Sequence, residues 1–327
     1  MNTLKVVPGF LCFCVMINAC NDVGKDNVAE KKFTAIDIPK IEKVIGMKGV
    51  TKEGEYKVTV AQNDLHVVVD GFKIIPFMGL GSWAAFTSGP DGAMVMGDII
   101  LTETDLKPVQ AEVIRQGLTI SAIHNHFLRD TPHVMYMHIG GMGSEENLAA
   151  AVKAVFEKVK EVRGINPGEG KKDSVQNTLD INALNNIIGS KGEMSKGVYK
   201  YTIGRPDVKL KDHNAAVSTF LGFNTWAAWQ GTPERAAVAG DFTMLESEVA
   251  PVIKALVENG IEVVAVHNHM VHEEPRIFFL HYWGVGPVEN LAHGLRTALD
   301  QTARPDAKTT AALAAVPVVK ETICGLR

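Results

Sequence analysis

The sequence predicts an α+β protein built by tandem duplication of one domain, each copy a mainly antiparallel sheet with flanking helices. Three observations predict it. A shift of 143 residues lays the chain on itself without a gap: Asp37 falls on Asp180, Trp83-Ala84-Ala85 on Trp226-Ala227-Ala228, Gly97-Asp98 on Gly240-Asp241, and Glu146-Asn147-Leu148-Ala149 on Glu289-Asn290-Leu291-Ala292. Repeats of about 125 residues are whole domains, not solenoid units. Strand-like alternation fills the first part of each copy, helices are interleaved late, and a Gly-, Pro- and charge-rich stretch at 163–178 reads as a linker.

The elements follow in order. Asp37 and Asp180 are placed to N-cap short helices that Gly46 and Gly189 close. In the first copy "YKVTVA", "LHVVV" and "FKIIPF" then alternate as strands do. The stretch "TETDLKPVQAEVIRQG" has a charged first turn, helical periodicity and a closing Gly117, with Pro108 tolerated early in the helix. "LTISAIHNH" reads as a strand, "FLRDTP" as a loop and "HVMYMHI" as a returning strand. The glycine stretches "GGMG" and "WGVG" read as turns before the last helix, "SEENLAAAVKAVFEKV" in copy one. These boundaries place the first repeat at 36–162 and the second at 179–302, followed by a C-terminal extension at 303–327.

The 46% hydrophobic and 21% charged content of the 327 residues is that of an ordinary globular protein. A formal charge of −4 with no long basic run argues against nucleic acid as a partner. At the N-terminus, Lys5 precedes the apolar run "VVPGFLCFCVMINAC", too short for a membrane-spanning helix of about 20 residues. It has the form of a secretory leader ending in Ile17-Asn18-Ala19-Cys20 and resembles a bacterial lipoprotein signal. Residues 1–19 are then a signal peptide, Cys20 the lipidated first residue, and 20–35 a polar tether to the membrane in the cell envelope. Of the four cysteines only Cys324 would remain a free thiol, so no intramolecular disulfide is expected.

The chemistry is concentrated in "IHNHFLRDTPHVMYMH" and "VHNHMVHEEPRIFFLH". His124 and His126, like His267 and His269, project from one face of an extended strand. The returning strand brings His138 or His281 opposite each pair. Three imidazoles with an open fourth position match a catalytic zinc site, so a divalent transition metal, zinc first, is the expected cofactor, with one tripod per repeat. Asn125 and Asn268 face away from their flanking histidines and are expected to bond a nearby turn. The letters HNH do not form the nuclease signature of that name, whose residues are dispersed along the chain. His66, His133, His213, His272 and His293 have no histidine at the matched position and read as ordinary residues.

Glu103 and Glu246, at the start of the helix before the His-x-His strand, are candidates for a fourth ligand or a general base. Equally, they suit a helix N-terminus. Asp98 and Asp241 follow Gly at an expected turn and read as structural, as Trp83 and Trp226 read as hydrophobic packing. Arg276 is a candidate to grip a substrate carboxylate.

The second copy, "ESEVAPVIKALVENGIEVVAVHNHMVHEEPRIFFLHYWGVG", resembles the LppY/LpqO family of exported bacterial lipoproteins over nearly the whole mature chain. Copy one departs from the family elements at His133 and Gly140. A more distant likeness is to the fold of acetolactate decarboxylase and related zinc ester hydrolases. That likeness implies a metal that activates water or polarises a carbonyl. The expectation is an exported, lipid-anchored metalloprotein, a hydrolase or lyase on small oxygenated molecules. The alternative is a non-catalytic envelope protein that binds a metal or ligand.

Overall fold

Helix α1 (Ile38–Ile45) shows how local sequence sets an element. The Asp37 carboxylate accepts the Lys40 N–H at 3.1 Å, and Gly46 ends the helix in the left-handed region at φ 75°. Ile41 and Ile45, four residues apart, share the buried face, and burying each side chain contributes about 1.5–3 kcal/mol. Its counterpart α4 (Ile181–Ile188) repeats the design with Asp180 and Gly189. These short helices lie where the sequence places them.

A computed structural model describes residues 33–166, 168 and 173–302 of the chain. Cys20, the leader, most of the tether and the C-terminal extension lie outside the described residues. After α1 come β1 (Val50–Lys52) and β2 (Glu55–Ala61), then an arm holding β3 (Val68–Val69), β4 (Phe72–Lys73) and a 3-10 turn at Pro76–Met78. The chain continues through β5 (Gly81–Gly89), β6 (Gly92–Thr102), α2 (Glu103–Arg115), β7 (Thr119–His124), β8 (Asp130–Thr131), β9 (Val134–Gly143) and α3 (Glu145–Arg163). The second repeat follows α4 with β10 (Glu193–Ser195), β11 (Val198–Gly204), β12 (Lys211–Asp212), β13 (Ala215–Ala216), β14 (Asn224–Gly231) and β15 (Ala236–Leu245). It closes with α5 (Glu246–Glu258), β16 (Glu262–His267), β17 (Glu273–Glu274), β18 (Ile277–Gly286) and α6 (Val288–Leu299). None of these helices is long and apolar enough to cross a membrane.

The fold is α+β and written twice. Each repeat has a six-stranded antiparallel sheet, ordered β1-β2-β5-β6-β9-β7 in one and β10-β11-β14-β15-β18-β16 in the other. One face of each sheet packs on its own helices: Tyr56, Val58, Phe86, Val95 and Ile139 meet Ile41, Val113 and Val152 in the first repeat. Helix α2 and α5 run on through Pro108 and Pro251. The glycine stretches expected as turns are instead the ends of β9 and β18. A Cβ on Gly141 would lie 2.8 Å from Leu118 and 3.2 Å from Leu148, so glycine lets α3 approach the strand.

The two repeats belong to one unit and exchange their arms. Val67, Val69, Ile74 and Met78 of the first arm bury against Ala228, Ala237, Ala239 and Trp283 of the second sheet. Leu210, Val217 and Leu221 of the second arm bury against Ala85, Met94 and Met96 of the first. Polar contacts fix the register: Gln230 donates to the Lys73 carbonyl at 2.9 Å, Trp283 Nε1 to Asp70 at 2.9 Å, and Arg129 bridges Asp70 and Glu262.

Residues expected in the linker are built into the repeats. Arg163 is buried and donates to Asp105 at 2.7 Å, Asp64 at 3.0 Å and the Ile100 carbonyl at 2.9 Å. In the second repeat Arg205 holds Glu248, Asp207 and the Thr243 carbonyl, the matched set. One guanidinium therefore fills the same place from two different points of the chain.

Candidate metal centre

A row of directly opposed residues crosses the inner face of each sheet. In the first, Thr59 on β2 faces Trp83 on β5, Trp83 faces Asp98 on β6, and Asp98 faces His138 on β9. In the second, Thr202, Trp226, Asp241 and His281 make the same row. Side chains two residues apart share a face, which adds Lys57 beside Thr59, Lys200 beside Thr202, and the histidines at the ends of β7 and β16. His124 and His267 are the last residues of their strands, and His126 and His269 follow in the loops.

All six histidines meet where the repeats meet. The rings of His124 and His267 stack at 3.8 Å between centroids, His126 and His281 lie 3.7 Å apart, and His138 and His269 4.0 Å. Three groups have ligand atoms close enough to hold one ion: His124, His126 and His281; His124, His138 and His267; and Asp241, His267 and His269. The expectation of one tripod per repeat is therefore corrected. Because the sheets face each other, the third imidazole of each all-histidine group comes from the other repeat, whereas the Asp241 group lies within the second repeat.

These imidazoles are built to bind something. Both ring nitrogens of His124, His126, His267 and His269, and Nε2 of His138 and His281, are buried with no hydrogen-bond partner. A buried polar atom left unbonded costs about 1–3 kcal/mol, so ten in one place are not a packing accident. His138 and His281 keep Nδ1 within 3.3 and 3.1 Å of the Gly97 and Gly240 carbonyls, which fixes the ring and leaves Nε2 for a ligand. Tyr136 and Phe279 back the array, stacked on His126 and His269 at 3.3 and 3.4 Å.

Burial pushes every imidazole in the array toward its neutral form, His124 to about 4, with the neighbouring imidazoles adding to the effect on His126 and His138. Neutral imidazole is the form that ligates metal. Burial also raises Asp98 to about 7 and Asp241 well above the usual carboxylate range. Their oxygens lie near the rings: Asp98 is 3.8 Å from His126, and Asp241 is 3.5 Å from His269.

Beside the array is a cavity of about 360 Å³, lined in matched pairs by Lys57 and Lys200, Trp83 and Trp226, Asp98 and Asp241, His126 and His269, and His138 and His281. Each tryptophan tip fits a glycine of the other repeat. A Cβ on Gly79 or Gly222, both at positive φ, would sit 3.2 Å from Trp226 or Trp83. The Lys57 ammonium lies 4.4 Å over the Trp83 ring and that of Lys200 4.2 Å over Trp226. Burial lowers both lysines to about 8, and for Lys57 the charge of Lys200 contributes further. The tryptophans read as plain packing are thus cavity walls.

Other sequence candidates lie elsewhere. Glu103 and Glu246 are exposed first residues of α2 and α5 and do not line the cavity. They sit at helix N-termini, where a carboxylate is favoured without further function. The carboxylates at the histidines are Asp98 and Asp241, which the sequence reading set aside as turn residues. They lie inside strands, and a charged residue within "AMVMGDIIL" or "AAVAGDFTML" is the signal that marks them. Arg276 does not line the cavity and pairs with Glu273 at 3.2 Å, as His133 in copy one does with Asp130 at 2.8 Å. Asn125 and Asn268 donate to the Phe127 and Ile277 carbonyls.

The sequence model of the family described as Domain of Unknown Function (DUF1259) matches residues 39–158 and again 182–301. The chain belongs to this family. The two DUF1259 matches stand at the 143-residue offset of the histidine triplets, so each copy supplies one triplet to the shared array. No curated protein sequence matches the chain. Among solved structures, a trimeric bacterial microcompartment shell protein, PduB, is similar at 10% identity and TM-score 0.19, covering 78% of this chain and 90% of its own. EtuB from Clostridium kluyveri is similar at 7% identity and TM-score 0.18, with the same coverage. At these scores neither likeness carries an argument about fold or function.

Proposed function

We propose that this DUF1259 protein is a metalloprotein whose centre is shared by its two repeats, acting as a metal-dependent hydrolase or lyase on a small oxygenated molecule held in the adjoining cavity. The observation that carries the reading is the set of buried, partnerless imidazole nitrogens converging beside an open cavity. The donor set of neutral imidazoles with a carboxylate suits zinc among the divalent ions.

The three residue groups named above would hold the ion, and when bound it would supply a Lewis acid at the edge of the cavity. The chain's own residues do the rest. Lys57 and Lys200 attract and orient negative oxygens, and Trp83 and Trp226 narrow the space open to water. Asp98 and Asp241, on opposite walls, are placed to accept or return a proton at their carboxylate oxygens. A raised carboxyl suits such an exchange near neutral pH.

A non-catalytic reading has one observation in its favour: His124 and His267, the central pair, are not among the cavity-lining residues. An ion held mainly by them would be enclosed, as structural sites are. One experiment separates the readings. Metal content by mass spectrometry and turnover of a panel of small esters, lactones and hydroxy acids are measured on the purified full chain, with Asp98→Asn beside the wild type. Metal in both with turnover lost in the variant supports the catalytic reading. Metal without turnover in the wild type supports the binding protein, and no transition metal after reconstitution would refute both.

We also propose that the chain is exported and anchored through a lipid on Cys20. The support is the apolar run ending in Ala19-Cys20 and the polar stretch that follows. Cys20→Ser should move the protein from the membrane fraction to the soluble one, and identical partitioning of the two would refute the anchor.

A further inference from the structure

The cavity carries two ammonium groups that the proposed metal chemistry does not require. Lys57 and Lys200 come from matched positions on facing sheets, and both side chains line the same 360 Å³ space. Each lies over its own tryptophan, and Lys57 also lies 4.8 Å over Phe220. Neither makes an ion pair or hydrogen bond with another side chain among the described residues. An ammonium drawn into a partly buried site is costly, and an aromatic face offsets only about 0.5–2 kcal/mol of it; Asp241 near Lys200 and Glu55 near Lys57 act on them through space without a direct ion pair. Thr59 and Thr202 add a hydroxyl beside each lysine, and the walls between are the apolar rings of Trp83 and Trp226. Lys52 adds a third positive charge to the lining, with Ser195 at its matched position.

We propose that the cavity takes a small dicarboxylate, one carboxylate on each lysine and its hydrocarbon body between the two tryptophans. Two ammonium groups contributed by facing sheets match the two acid groups of one ligand. The apolar rings favour a carbon chain over a fully hydrated phosphate. The inference rests on reading this cavity as the ligand site, and it adds the class of ligand.

The test uses the full chain, with quenching or enhancement of tryptophan fluorescence as the readout, since two of the four tryptophans form the cavity wall. Probes are succinate, glutarate, butyrate and inorganic phosphate, titrated into wild type, Lys57→Gln, Lys200→Gln and the milder Lys57→Arg. Metal content is measured on the same preparations, and circular dichroism confirms folding. Succinate or glutarate is expected to bind about tenfold or more tightly than butyrate. Each Gln variant should reduce the dicarboxylate to the affinity of butyrate, with Lys57→Arg keeping part of the difference. Butyrate or phosphate binding as well as the dicarboxylates, or folded Gln variants that bind them unchanged, would overturn the proposal. A chain that holds no metal yet shows the lysine-dependent preference would sink the metal reading and leave this one standing.

Discussion

Acidification of the metal-free protein is the sharpest test of the histidine array. Folding keeps six imidazoles neutral by burial, so their folded pKa values lie below the ordinary 6.5, that of His124 at about 4. A depressed histidine contributes stability that is present above 6.5 and is lost as pH falls through the folded value. Asp98 and Asp241 act in the opposite sense. Their folded values lie above the ordinary 3.8, so their contribution is present at low pH and is lost as pH rises, for Asp98 through about 7. As pH falls below 6.5 the unfolded chain therefore takes up protons on these histidines ahead of the native protein, and Asp98 and Asp241 offset part of the difference. At about 1.36 kcal/mol per proton and pH unit, His124 alone, held at about 4, contributes a loss of roughly 3 kcal/mol between pH 6.5 and 4. That is a large share of the 5–15 kcal/mol of a typical domain, so the metal-free chain should lose stability steeply over this range. Urea titrations of the chelator-treated full chain at a series of pH values measure the loss, and His124→Leu should make it shallower. A midpoint that stays constant between pH 7 and 5 would refute a buried, neutral array. Added zinc should shift the collapse to lower pH, because ion and proton compete for the same nitrogens.

Three further outcomes follow from the geometry. His281→Ala, a change in the second repeat, should weaken metal held by His124 and His126 of the first by orders of magnitude, read by cobalt absorption; a loss confined to second-repeat ligands would restore one site per repeat. Arg163→Ala leaves the buried carboxylates of Asp105 and Asp64 without their cation, and should cost about 3–5 kcal/mol in urea denaturation, while a loss under 1 kcal/mol, roughly that of a surface pair, would refute its structural role. Gly79→Ala places a methyl 3.2 Å from Trp226 at φ 98°, and should cost about 1–3 kcal/mol and alter tryptophan fluorescence; unchanged stability and emission would mean that the arm does not seat the cavity wall.

Much of this was legible in the sequence because duplication acts as an internal comparison. Helices capped at Asp37 and Asp180 and closed by left-handed glycines lie where local chemistry puts them, since every signal falls within a few residues. The histidine triplets were legible for the same reason. What sequence could not supply was the facing of the two sheets. Strand pairing within a repeat follows from alternation, but which nitrogen of copy one meets which of copy two depends on the exchanged arms, whose strands are only two residues long. Arg163 and Arg205 show the limit well. They do one job from unrelated positions, so no offset relates them. Lys57 and Lys200 are the opposite case: they obey the offset and interrupt apolar strands, a signal legible in the sequence itself.

The duplication also accounts for the form of the site. A single repeat presents its row of Thr, Trp, Asp and His on one sheet face, and that face would be open to water with its histidines solvated. Apposing a second copy does three things at once. It buries the imidazoles, which depresses their proton affinity and leaves their lone pairs for a ligand. It completes each all-histidine group with a nitrogen from the other copy. And it closes the cavity with a second lysine and tryptophan, each tryptophan seated on a glycine of the opposite arm. The inner faces are each other's burial partners, as where Ala85, Met94 and Met96 bury against Leu210, Val217 and Leu221 of the other repeat. Stability of the sheet face and assembly of the candidate site are therefore one event. A mutation that loosens the arms should lose both together, whereas one confined to the lysines should lose ligand and leave the fold intact.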